Sequence, residues 1–77
     1  MTRTEMLRLR KYLNDKFGTD RIDIERGMHK DGTVEVHVRG EFIGVIYKDT
    51  EDGEVSYAFQ MAILEEDLPN VSDAALI

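Results

Sequence analysis

Apolar residues recur along this chain in two rhythms, and the change between them divides it. Near the start, Met6, Leu9, Leu13 and Phe17 are spaced three, four and four apart, one stripe of an amphipathic helix. Thr2 with Glu5 three positions later fits a capping box, in which each side chain satisfies a free amide of the first turn. Gly18 follows as a residue that enters the left-handed conformation without a Cβ clash, so the helix ends there. The opposite face holds Arg8, Lys11 and Asp15, with Lys11 and Asp15 at ion-pair spacing, while Leu7 and Tyr12 fall at the margins of the stripe.

Beyond residue 20 the period becomes two. Ile22 and Ile24 alternate with Arg21, Asp23 and Glu25, and Val34, Val36 and Val38 alternate with Glu35, His37 and Arg39; both read as strands with one solvated face. Loop length sets their register. A two-residue Asp31-Gly32 turn puts Ile24 on the face of Arg39. A three-residue Lys30-Asp31-Gly32 loop pairs Ile24 with Val38, Asp23 with Arg39 and Glu25 with His37, and is preferred because it keeps the apolar faces together. Arg26 then lies on the apolar side opposite Val36, a place for a snorkelling side chain at a sheet edge. The most apolar stretches, residues 41–47 and 55–64, form the last hairpin around the acidic loop Asp49-Thr50-Glu51-Asp52-Gly53. A two-residue turn at Arg39-Gly40 or Gly40-Glu41 places Ile43, Val45 and Tyr47 on the face of the three valines. The five-residue loop pairs Tyr47 with Val55, Val45 with Tyr57 and Ile43 with Phe59, and Met61 and Ile63 continue that face.

The expected fold is therefore α+β: an N-terminal helix packed on one face of a four-stranded antiparallel meander, α-β-β-β-β, with a short C-terminal tail. Residues 1–68 form the single domain, and residues 69–77 a tail that docks or stays disordered, with Ser72-Asp73 as a helix start before Ala74, Ala75, Leu76 and Ile77. The same register leaves a second sheet face of Phe42, Gly44, Ile46, Ser56, Ala58, Gln60, Ala62 and Leu64, with Glu35 and His37 beside them. A wet face usually reads as polar; this one reads as covered, either by the tail or by a partner. Phe42, Ile46, Ala58, Gln60 and Leu64 are the expected interaction residues, with face-to-face packing of two sheets in a twofold dimer as the specific form.

Composition narrows the function classes. With 77 residues the chain is one domain, and with no cysteine it has neither disulfides nor a thiolate metal site, which fits a reducing compartment. No run approaches a signal peptide or a membrane span, so a soluble cytoplasmic protein is expected, with no membrane role. The net charge of −6 is uneven: residues 1–21 carry six basic and three acidic side chains, residues 22–77 four and thirteen. Most of that surface repels phosphate, which argues against nucleic acid. The basic helix face, through Arg8 and Lys11, leaves a weaker anion-binding reading.

Candidate chemistry gathers at His37. Ser56 lies on the same face, Glu25 sits across from His37, and Glu35 precedes it, which makes a small-ligand or metal-binding site of His37, Glu35 and Ser56 conceivable. The plain alternative is a cross-strand Glu–His pair, since no nucleophile elbow or oxyanion glycine pattern accompanies it. His29, near a turn, stands too far along the ladder to join His37 at a metal, so no metal site or cofactor is assigned. The 49–54 loop lacks the calcium-loop pattern: Gly53 is fifth from Asp49, position twelve is Gln60, and the flanks are strands. The α-β-β-β order is shared with double-stranded-RNA-binding domains, but their basic C-terminal segment is here Glu65-Glu66-Asp67, so that reading is rejected.

The run Gly40-Glu41-Phe42-Ile43-Gly44-Val45-Ile46-Tyr47, then Glu51-Asp52-Gly53-Glu54-Val55-Ser56-Tyr57 and Phe59-Gln60-Met61-Ala62-Ile63-Leu64, resembles a family of small bacterial proteins classed only as a domain of unknown function. Lys11-Tyr12-Leu13 with Phe17-Gly18 is similar too, so the likeness covers most of residues 11–68 and leaves out the last nine. It implies a bacterial cytoplasmic origin and transfers no catalytic residue, cofactor or partner. The sequence thus points to a non-enzymatic protein-interaction or homodimerisation module, with a ligand or metal site at His37 as the alternative.

Overall fold

A computed structural model describes residues 1–27 and 32–72. Helix α1 spans Arg3–Phe17. The capping box at its start is formed: the Thr2 amide donates to Glu5 Oε1 at 2.9 Å and the Glu5 amide to Thr2 Oγ1 at 3.1 Å. Gly18, at φ +64°, ends it in the left-handed region. Asn14 then fixes the return of the chain: its Nδ2 donates to the Ile22 carbonyl at 3.0 Å and its Oδ1 accepts from the Ile22 amide at 2.9 Å. The stripe buries Leu13 and half-buries Met6 and Leu9, but Phe17 lies outside it, 61% exposed, beyond the point where Asn14 ties helix to strand.

Strands β1 (Ile22–Glu25), β2 (Val34–Val38), β3 (Glu41–Asp49) and β4 (Ser56–Met61) form one antiparallel sheet in the order β1-β2-β3-β4, the meander expected from the alternation. The β1/β2 register keeps the apolar faces together but slides by two residues from the expected one. Ile22 pairs with Val38 and Ile24 with Val36, so Asp23 faces His37 rather than Arg39. Asp23 instead meets Arg10 of the helix at 3.3 Å. The expected Lys30-Asp31-Gly32 turn lies mostly outside the described residues, as do His29 and the tail helix start at Asp73.

Strand β3 departs from expectation in a way that matters. The turn is the two-residue Arg39-Gly40, both at positive φ (+52° and +82°), and Val38 faces Glu41 and His37 faces Phe42. A β-bulge follows: Val36 pairs with Gly44, Ile43 is the extra residue, and Val34 pairs with Ile46. From there every side chain of β3 is on the face opposite to that expected. Ile46 goes into the core at 1% exposure, and Val45 and Tyr47 take the second face. The next connection is longer than expected, residues 50–55 with a 3₁₀ turn at Glu51–Gly53, and it pairs Ile46 with Phe59 and Lys48 with Tyr57. This three-residue slip of pairing, being odd, cancels the one-residue bulge on β4, whose Tyr57 and Phe59 pack on the core while Ala58 and Gln60 face away. The core is Leu13, Ile22, Val34, Val36 and Ile46.

Candidate functional site

Gly44, buried between β2 and β4, leaves no room for a side chain. A Cβ there would strike the Gln60 carbonyl oxygen and come within 2.8 Å of the Phe59 ring, so β3 and β4 approach as closely as they do because the residue has no side chain. Beside this point opens a groove of about 1150 Å³, bounded by Phe42, Ile43, Gln60, Met61, Ile63 and Leu64. Phe42, Met61, Ile63 and Leu64 are each more than half exposed. Three of the expected interaction residues, Phe42, Gln60 and Leu64, therefore meet at one groove. Ala58 stands on the second face next to Tyr47 on the neighbouring strand. Ile46 does not belong with them: the bulge turns it inward, and its place on the second face is taken by Val45 and Tyr47.

The bulge also seats His37. Its ring meets Phe42 edge-on, with centroids 5.7 Å apart, and its Nε2 lies 3.0 Å from Glu35 Oε1 and 3.0 Å from Glu25 Oε2. The Glu35 carboxylate lies over Gly27, in the space that a Cβ there would take. One donor atom from each of Glu25, Glu35 and His37 falls within a cluster 4.8 Å across. Ser56 is not brought to this group. It opposes Asp49 at the far end of the sheet, so the conceivable Ser–His pair is not assembled.

A third constellation went unseen in the sequence. Glu5, read there only as a capping residue, also accepts from the Tyr57 hydroxyl at 2.6 Å and from Lys48 Nζ at 2.7 Å. The Lys48 ammonium first, then the Thr2 amide and the Tyr57 hydroxyl, hold its carboxyl far below the ordinary carboxylate range. The same contact raises Lys48 and Tyr57 above their usual values, because each is favoured in the protonated form beside an anion. No periodicity links residues 5, 48 and 57. The only trace in the sequence is that Lys48 interrupts an apolar strand. The cluster pins the helix N-terminus to the last hairpin and borders a second, smaller groove of about 420 Å³ between α1 and β4, lined by Arg8, Leu9, Tyr12, Leu13, Tyr57 and Phe59.

Fold and site together define a small α+β domain, one helix on a four-stranded antiparallel sheet, with unfilled apolar grooves at both sides of its last strand. Residues 5–67 match the family model described as "Protein of unknown function (DUF3126)", and the chain belongs to that family. The match spans nearly the same stretch as the likeness seen in the hairpin and helix. No curated protein and no solved structure matches the chain. Among the described residues no helix is long and apolar enough to cross a membrane.

Proposed function

We propose that this protein is a non-enzymatic association module of the bacterial cytoplasm that joins a second copy or a protein partner through the Phe42–Gln60–Leu64 groove and the adjoining second sheet face. The observation that carries this reading is the exposed apolar rim of the groove: Phe42, Met61, Ile63 and Leu64 line it and are each more than half exposed, and a contiguous apolar patch of this kind marks an association surface. The lack of cysteine fits a reducing compartment.

Sedimentation velocity from micromolar to millimolar protein, with a pull-down using the wild-type chain and a Phe42→Lys variant as baits, tests the reading. Association or capture lost in the variant, with its circular dichroism unchanged, is the expected result. A monomer throughout, with no protein retained preferentially by the wild type, refutes it.

A second reading has its own observation, the convergence of two carboxylates on one imidazole nitrogen. Ligands placed 2.0–2.2 Å from a tetrahedral zinc ion stand about 3.3 Å apart, close to the 3.0 Å separations at His37 Nε2. Glu25, Glu35 and His37 would supply three ligands and leave one position open. Zinc added stepwise to labelled protein shifts the His37 and Phe42 ring signals if this is a site, and a chelator reverses the shift. Unchanged signals at stoichiometric zinc remove the reading.

A further inference from the structure

We infer that the chain forms an arm-exchanged homodimer, in which the acidic segment after β4 of one copy lies in the groove between α1 and β4 of the other. The inference shares with the association reading above only that copies of the chain pair, and it places the contact in the groove on the helix side rather than at Phe42. Residues 62–72 leave the sheet, and every one of them is exposed. They are not featureless. A 3₁₀ turn over Glu65–Asp67 is closed by the Asp67 amide on the Leu64 carbonyl at 3.0 Å and the Leu68 amide on the Glu65 carbonyl at 3.1 Å. Leu64 and Leu68 thus flank three consecutive acidic residues on a preformed turn, 54% and 55% exposed. Short helical ligands with two apolar knobs and a charged side are recognised by grooves of matching chemistry.

The α1–β4 groove has that chemistry. Its floor is apolar, made by Leu9, Leu13, Ile46 and Phe59, and Tyr12 stands open at its edge, 58% exposed. Its charge is positive where it is free to act. Glu5, the single acid on the lining, is already engaged by Lys48 and Tyr57. Arg8, on the lining, makes no ion pair among the described residues, and Lys16, outside the lining, leans on the Tyr12 ring at its edge, 5.7 Å from the centroid. A −3 arm and a basic helix face are carried by the same chain, and the chain's own arm is exposed rather than seated. A second copy satisfies both surfaces at once, and twofold symmetry makes the exchange reciprocal. Electrostatic attraction of this kind sets orientation and speeds encounter, and the leucines supply the burial.

Because the chain has no cysteine, single cysteines report the contact cleanly. Tyr12→Cys and Leu68→Cys chains, each exposed at the altered position, are mixed in equal amounts and oxidised mildly. Each chain holds one thiol, so a disulfide between them reads an arm on a neighbour and never an arm on its own body. The mixed disulfide is expected in clear excess over both like-with-like disulfides. In parallel, Leu64→Asp with Leu68→Asp is expected to raise the dimer dissociation constant roughly a hundredfold, as two half-buried leucines are lost. Arg8→Glu weakens the dimer, and adding Glu65→Arg and Glu66→Arg to it restores the dimer. A dimer that survives the leucine changes and gives only statistical disulfides overturns the exchange while leaving association through another face intact. A monomer at every concentration overturns the exchange outright, and capture of a different protein then decides the association reading separately.

Discussion

Ile46 is the residue on which the two registers of β3 disagree, and its substitution separates them. It is 1% exposed, flanked by Val34 on β2 and Phe59 on β4, and sits over the helix-covered core. Ile46→Ala removes buried methyl groups and leaves a cavity in a sheet that cannot close over it, a loss of about 3 kcal/mol within the usual 2–5 range. Ile46→Val should cost about 1 kcal/mol. Against a total stability of roughly 4–12 kcal/mol for a chain of this length, the first change is severe. With a urea slope near 1 kcal/mol per molar, the midpoint falls by about 3 M. Val45→Ala, on the second face one position away, should cost well under half as much. Urea unfolding followed by circular dichroism at one fixed protein concentration makes the comparison, since association links stability to concentration. Ile46→Ala within about 0.5 kcal/mol of the parent, with Val45→Ala the costly change, would show that β3 runs without its bulge and would refute the register.

Three further outcomes follow from particular geometry. Arg39 holds φ +52° in a turn where asparagine is at ease, so Arg39→Asn should stabilise the fold by about 0.5–1 kcal/mol, read as a rise in melting temperature. Gly44→Ala should cost about 1–3 kcal/mol in the same assay, because the new methyl meets the Gln60 carbonyl and the Phe59 ring. The Glu5 carboxyl is depressed in the fold, so its contribution is present above the ordinary value of about 4.5 and is lost as pH falls below it; Lys48 and Tyr57 are raised, so theirs are present below about 10 and are lost as pH climbs past that. Glu5→Gln should flatten both ends of the stability–pH curve, and an unchanged acid limb would exclude the carboxylate as its source.

What was legible in the sequence was what is decided locally. The Thr2–Glu5 box, the Gly18 stop and the Lys11–Asp15 pair, 3.0 Å apart, depend on residues within one turn of each other, and all three stand where spacing put them. The strand order and the short Arg39-Gly40 turn follow from alternation and turn chemistry in the same way. The faces of β3 were not legible, because Phe42-Ile43-Gly44-Val45-Ile46 is apolar or small at every position and gives no alternation to read. Its signal was Gly44 itself: a glycine inside a strand marks a bulge or a close approach, and here it marks both. Glu25, Glu35 and His37 were named as neighbours, and they meet, although through a diagonal rather than the expected pairing. The Glu5–Lys48–Tyr57 cluster joins residues up to 52 positions apart, a distance no local pattern encodes.

The bulge at Ile43 has a consequence for how this strand tolerates change in length. Removing Ile43 would leave His37 opposite Phe42 and Val36 opposite Gly44 as ordinary successive pairs, with Ile46 still inside. The extra residue is thus slack in the ladder: losing any one of Ile43, Gly44 and Val45 leaves three steps on each strand between the His37–Phe42 and Val34–Ile46 pairs, and Ile46 stays inside. Within this family, a chain one residue shorter there should keep the same interior, and variation in the length of β3 is expected to concentrate between Phe42 and Ile46.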